Sequence, residues 1–208
     1  MEIRAFTTPG LVKPVNEDIL GLDCVGNELK ACLCDGHWGK QAACLACQVV
    51  MKNFPLSKKR AFSVFNQIQS ELFRSNSTLN PPETSVLAIQ IDMSKLIMTL
   101  ASYGDCRLLI VRQNRILYSL PTYSTWLGAL SYQIIRNRLA VKKATIFRRF
   151  RLTKGDKIYI FTDGIDECVY ETPTIPHDWI IKHSASAIIN RVYSHGAQDN
   201  ASLIILKC

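Results

Sequence analysis

Apolar and polar positions along this chain fall into short segments with two different periods. Ile3 to Thr7, Asp18 to Cys24 and Glu28 to Cys34 are apolar-rich runs of strand length, separated by Pro or Gly-Asn turns. From Gly39 to Phe54 the period changes: Ala43, Cys47, Val50, Met51 and Phe54 recur at helical spacing, and the pattern stops before Pro55. Leu56 to Ser75 repeats it with Phe62, Phe65, Ile68 and Leu72. Both predict amphipathic helices that cover a sheet. After a polar loop at 76–82, Thr84 to Ile91, Lys95 to Tyr103, Arg107 to Arg112 and Arg115 to Leu120 read as a strand meander. Gln113-Asn114 is the expected turn of its last hairpin. Ile158 to Thr162 and Ser202 to Lys207 are further strands, and Trp179 to Ser194 is a helix with Ile181, Ala185, Ile188 and Val192 on one face. Runs of strands with helices in separated pairs predict a layered α+β fold.

A second regularity lies at the ends of these runs. Glu28 to Cys34 leads straight into Asp35-Gly36-His37, and Ile158 to Phe161 into Thr162-Asp163-Gly164. Asn16-Glu17-Asp18, Gly104-Asp105 and Asp199-Asn200 stand before other strands. In antiparallel sheets, acids that begin some strands and end others fall on one edge. Asp and Asn also mark ordinary turns. Carboxylates gathered at one edge repel unless cations neutralise them. An all-oxygen set of Asp, Glu and a backbone carbonyl suits Mg²⁺ or Mn²⁺ rather than zinc. Gly36 lets its own carbonyl approach whatever Asp35 binds, and His37 adds a group able to move a proton near neutral pH.

The ordered set NED (16–18), CDGHWGKQAA (34–43), YGDCR (103–107), GDKIYIFTDG (155–164) and QDNASLIIL (198–206) resembles the metal-dependent protein phosphatases, the type 2C serine/threonine phosphatases, over nearly the whole chain. The resemblance is to compact bacterial members. It implies a four-layer αββα sandwich of two mainly antiparallel sheets flanked by helices. It also implies hydrolysis of phosphoserine and phosphothreonine monoesters by a metal-activated water. In that scheme Asp35 bridges two Mn²⁺ or Mg²⁺ ions. Asp163 and Asp199 complete one ion's ligands, and Glu17 and the Gly36 carbonyl the other's. Asp18 holds the water network, His37 is the general acid, and Asp105 is either a third-metal ligand or a plain turn residue. The resemblance further implies a phosphoprotein substrate and a cognate Ser/Thr kinase. Three departures stand out. Lys13 occupies a segment where an arginine is usual and becomes the candidate phosphate-binding cation; Trp38 adds bulk after the histidine; Cys106 replaces a serine. The competing reading is a non-catalytic or SpoIIE-like regulatory module of the same fold.

Composition narrows the picture further. At 208 residues and 48% hydrophobic content the chain is expected to form one domain, 1–208, with a real core. No basic region with a following apolar stretch opens it, and no apolar run reaches the ~20 residues of a membrane span. Eight cysteines in this class suggest a reducing, cytoplasmic setting. Cys32-x-Cys34 and Cys44-x-x-Cys47 have zinc-like spacing, but they fall on a strand and a helix face, so core packing is the reading adopted. The basic residues are unevenly placed. Arg136 to Lys157 holds nine Lys/Arg and one acid; removing these from totals of 25 and 17 leaves 16 of each, so the whole charge of +8 sits there. The stretch overlaps a short flap-like region, about 121–154. It is either a solvated face or a surface for an acidic partner; no nucleic-acid motif accompanies it.

Overall fold

The computed structural model describes residues 1–54, 56–75, 81–129, 141, 143–167 and 175–208. Positions 76–80 of the loop expected at 76–82 and the basic positions 136, 138 and 142 lie outside the described residues. In chain order the elements are β1 (Glu2–Thr8), β2 (Ile19–Val25), β3 (Glu28–His37), α1 (Gln41–Lys52), α2 (Lys58–Ser75), β4 (Glu83–Asp92), β5 (Ile97–Tyr103), β6 (Arg107–Arg112), β7 (Arg115–Ser119), β8 (Ile146–Arg151), β9 (Lys157–Phe161), α3 (Asp163–Asp166), α4 (His177–Ile180), α5 (Ala185–Ser194) and β10 (Ala201–Lys207). One five-stranded sheet runs β1-β10-β9-β6-β7 and the other β2-β3-β4-β5-β8. Every strand pairing is antiparallel.

The layers follow from which faces are apolar. Leu29, Ala31, Leu33, Leu87, Ile89 and Leu100 of the second sheet meet Leu108, Ile110, Ile158, Ile160, Ile204 and Leu206 of the first. The alternate residues of β3, Cys32 and Cys34, point the other way and pack with Ala43, Ala46, Cys47 and Val50 of α1 and with Phe65 and Ile68 of α2. On the far side of the first sheet, Tyr159, Phe161 and Leu203 pack against Ile180, Ile188 and Val192. Two sheets face to face with helices outside make the expected αββα sandwich. Strands buried on both faces carry continuous apolar runs, as in β4, where Thr84 to Ile89 are all buried. Each fully buried aliphatic side chain contributes about 1.5–3 kcal/mol of transfer free energy. Every cysteine among the described residues is a free thiol. No described helix is long and apolar enough to cross a membrane.

Several elements differ from their sequence expectations. The helix expected over 179–194 is two: α4 ends at Ile180, and α5 starts afresh at Ala185. The Ser184 hydroxyl caps α5 by accepting from the Ala187 N–H at 3.3 Å. Strand β3 runs through Asp35 and Gly36 to His37, because Glu83 to Ser85 of β4 continue to pair with it. Asp163 opens a four-residue helical turn. The basic stretch contains an edge strand, β8, paired with β5. The hairpin turn at Gln113-Asn114 has φ of 50° and 59°, the left-handed pair that a two-residue hairpin demands.

Candidate metal centre

Register brings the acids together. Ile19 pairs with Cys34, which sets Asp18 level with Asp35 at the end of β2 and β3. Arg107 and Leu203 both pair with Phe161, so Asp105, Asp163 and Asp199 lie at the matching end of the first sheet. Asp18, Asp35, Asp105, Asp163 and Asp199 interact electrostatically across the gap between the two sheet ends.

Two glycines permit this closeness. A Cβ on Gly36 would stand 2.5 Å from the Glu17 carbonyl oxygen, and one on Gly164 would collide with the Asn200 carbonyl. Only a bare backbone lets β3 reach the loop bearing Glu17, or lets α3 close on the loop bearing Asp199. Asn200, a buried residue to which the sequence alone assigns no role, clasps the same region. Its Oδ1 accepts from the Glu17 N–H at 2.9 Å, and its Nδ2 donates to the carbonyls of Pro9 (3.1 Å) and Val15 (3.0 Å).

Asp18 and Asp35 are buried, the other carboxylates half-buried, and the set is poorly satisfied. Asp18 Oδ2 accepts from the Thr162 hydroxyl at 3.0 Å, while Asp18 Oδ1, Asp35 Oδ2 and Asp105 Oδ1 are buried with no hydrogen-bond partner among the described residues. Burial pushes Asp18 up to about 7, against hydrogen bonds from Ser202 and Thr162 that lower it and with Asp163 and Asp199 adding repulsion. Asp163 is raised to about 6 by burial and by Asp105, partly opposed by Arg107. Burial, then Asp163 and Asp18, hold Asp35 well above the usual carboxylate range. Each cause is one that a divalent cation removes, since it supplies both a ligand for the free lone pairs and the missing positive charge. The residues present therefore fit a hard cation. Among the described residues no three such side chains already close around one point. The Lys13 ammonium sits 3.2 Å from Asp199 Oδ1 and 3.9 Å from Glu17 Oε2, a positive charge between two of the expected ligands.

The remaining residues frame this cluster. His37 has Nε2 3.6 Å from Asp35 Oδ1 and Nδ1 3.9 Å from Glu83 Oε1. The Trp126 ring meets it edge-on at 5.2 Å, and Trp126 Nε1 donates to Asp105 Oδ2 at 3.2 Å. Trp38 is exposed with φ of 62°, a left-handed backbone that costs a non-glycine residue about 1–2 kcal/mol. Cys106 is fully buried with Sγ 2.9 Å from Ser85 Oγ, so its thiol takes a hydrogen-bonding place. Arg107 is a buried cation beneath the cluster. It donates through Nη1 to the Asp105 carbonyl at 2.6 Å, pairs through Nε with Asp166 at 3.2 Å, and is bonded through Nη2 to Glu167. His177 Nε2 stands 2.9 Å from the same Asp166. An arginine opening an apolar strand directly after Gly-Asp-Cys is the one sequence signal that points to this network.

The fold has close counterparts among solved structures. A bacterial serine phosphatase carrying one arginine substitution superposes with a TM-score of 0.76 at 15% identity, covering 100% of this chain and 98% of that one. RsbX in complex with magnesium matches at 0.69 and 13%, covering 98% and 92%. The catalytic domain of the serine/threonine protein phosphatase PstP with two manganese ions matches at 0.67 and 16%, covering 98% and 96%. No family model and no curated protein sequence matches the chain. At these identities the likeness is one of fold.

Proposed function

We propose that this chain is a type 2C, metal-dependent phosphatase that hydrolyses phosphoserine and phosphothreonine monoesters in proteins, acting as one domain in a reducing, cytoplasmic setting. The observation that carries this reading is the set of buried, partnerless oxygens of Asp18, Asp35 and Asp105 at one edge of an αββα sandwich. The fold neighbours include RsbX with magnesium and the catalytic domain of a serine/threonine protein phosphatase with two manganese ions, which supports the choice of ion.

Glu17, Asp35 and the Gly36 carbonyl would hold one Mn²⁺ or Mg²⁺, and Asp35, Asp163 and Asp199 the other, with Asp105 offered to a third. When bound, such ions activate water and offset the phosphate's charge. The chain's own residues then have distinct tasks. Asp18, anchored on the Thr162 hydroxyl, orients the attacking water. As the new P–O bond forms from water, the bond to the serine or threonine oxygen breaks, and His37 delivers a proton to that departing oxygen. Asp35 and Glu83 flank the imidazole, one facing Nε2 and the other Nδ1. Lys13 supplies positive charge to the phosphate oxygens from its place beside Asp199. Trp126 packs on His37 and fixes its ring.

The test is turnover of para-nitrophenyl phosphate and of one phosphoserine peptide with and without Mn²⁺. Activity should require the ion and be lost in folded Asp35→Asn and Asp163→Asn proteins. Mn²⁺-dependent turnover surviving in Asp35→Asn would overturn the two-ion assignment.

A further inference from the structure

Three of the nine basic residues in the 136–157 stretch, Arg148, Arg149 and Arg151, stand on one strand. Among the described residues strand β8 is the last strand of its sheet, paired with β5 on one side only. Ile146 and Phe150 face the core between the sheets, and Phe147 faces the helical layer. Strand alternation therefore puts Arg149 and Arg151 on the outer side with Phe147. Arg148, Arg149 and Arg151 are all exposed, and among the described residues no carboxylate lies within ion-pair distance of them.

Two hollows run along this strand. The first, about 420 Å³, is lined by Phe62 and Phe147 with Lys58, Lys59 and Thr145 at its rim. The second, about 690 Å³, is lined by Arg149, Arg151, Lys95, Ser94, Ile97 and Phe150. Lys95 is itself paired with Asp92 at 2.9 Å, which leaves the two arginines as the uncompensated charges. At roughly 3.3 Å per residue, Phe147 and Arg151 are about 13 Å apart, the span of four residues of extended peptide. The strand begins level with Ser102, close to the Gly104-Asp105 turn at the acidic edge, and leads away from it.

We propose that the free edge of β8 is a docking strip for an extended acidic segment of the phosphoprotein substrate, one bulky apolar residue entering the Phe62–Phe147 hollow and carboxylates reaching Arg149 and Arg151. The substrate assignment rests on the phosphatase reading; the binding itself does not. A peptide is favoured over nucleic acid because the strip joins an apolar hollow to a strand edge that pairs with no further strand among the described residues, where the backbone of another chain can add. Charge complementarity sets the sign of the partner.

The test is fluorescence anisotropy with a labelled glutamate-rich peptide of about twelve residues and one central Phe, long enough to span both hollows at 3.3 Å per residue. Companion probes are its Phe→Ser form, its charge-reversed lysine form and a labelled oligothymidylate. The acidic peptide should bind, weaken with salt and with loss of Phe, and lose at least about ten-fold in affinity to Arg149→Glu/Arg151→Glu protein, which should instead take up the lysine peptide. The same variant should keep its turnover of para-nitrophenyl phosphate and lose about ten-fold in kcat/KM on a phosphopeptide with acidic flanks. Unchanged affinity in the variant, or tighter binding of oligothymidylate than of peptide, overturns the proposal. No turnover of para-nitrophenyl phosphate by wild type with normal peptide binding would instead remove the phosphatase reading and leave the docking strip standing.

Discussion

Asn200→Ala is the most informative single substitution in this site. The side chain makes three hydrogen bonds, all to backbone groups of the 9–17 segment, and touches none of the proposed ligands through their side chains. Each such bond contributes about 0.5–1.5 kcal/mol, so the loss should cost about 3 kcal/mol. For a chain of this size 1 kcal/mol moves Tm by roughly 2–4 °C, which predicts a fall of about 6–12 °C. The functional consequence runs through Glu17, whose backbone N–H is the group released. Mn²⁺ affinity should weaken by about 10–100-fold, the usual effect of removing a group that orients a ligand. Thermal unfolding at several Mn²⁺ concentrations reads both quantities at once: a lower Tm without metal and a smaller rise with it. Asn200→Asp keeps the acceptor for Glu17 but loses both donors and adds a charge beside Asp199, so it should be no better than alanine. A normal Tm, or a normal metal-dependent rise, in Asn200→Ala would refute the idea that this clasp positions Glu17.

His37→Ala should slow hydrolysis of phosphoserine peptides by at least about 10²-fold and of aryl phosphates far less, because phenolic leaving groups need little protonation; equal losses on both would remove His37 as the acid. Lys13→Ala should raise KM for a phosphopeptide about ten-fold, some 1.4 kcal/mol, with a smaller change in kcat, and Lys13→Arg should preserve KM; an unchanged KM in steady-state kinetics would return Lys13 to a purely structural pairing. Asp156 is fully buried and held below the usual carboxylate range by the Arg112 guanidinium first and by Thr153. Because its folded value is depressed, its stabilisation is present above about pH 4 and fades as pH falls through the folded value. Asp156→Ala should therefore cost about 2 kcal/mol at pH 7 through the two lost Thr153 bonds. In urea unfolding that penalty should shrink toward pH 3, and a pH-independent penalty would contradict the ionised assignment.

The residues legible from sequence are those whose role is local. Asp35-Gly36-His37 and Thr162-Asp163-Gly164 announce themselves because a run of strand-forming residues ends in turn chemistry within the same few positions. The same locality explains the Gln113-Asn114 hairpin, where both residues tolerate the left-handed backbone the turn needs. Asn200 and Arg107 stand inside recognisable motifs, yet the sequence assigns them no task, since their partners lie far along the chain: Glu17 is 183 positions from Asn200, and Asp166 is 59 from Arg107. The break between α4 and α5 is hidden for a related reason. Ile180, Ile181, Ile188 and Ile189 all face the same sheet, so the apolar rhythm continues across a gap that only the Ser184 cap betrays. Strand β8 is obscured by its arginines, which give an edge strand the composition of a solvated loop. Three buried oxygens without partners are the other face of the same limit. Sequence shows that acids stand at strand ends, but only the register of two sheets shows that they meet where no donor among the described residues satisfies them. A fold that keeps such groups buried pays desolvation for each, and a cation bound there would recover that cost in one step; on the proposed reading, metal binding would then contribute to the stability of the edge as well as to its chemistry.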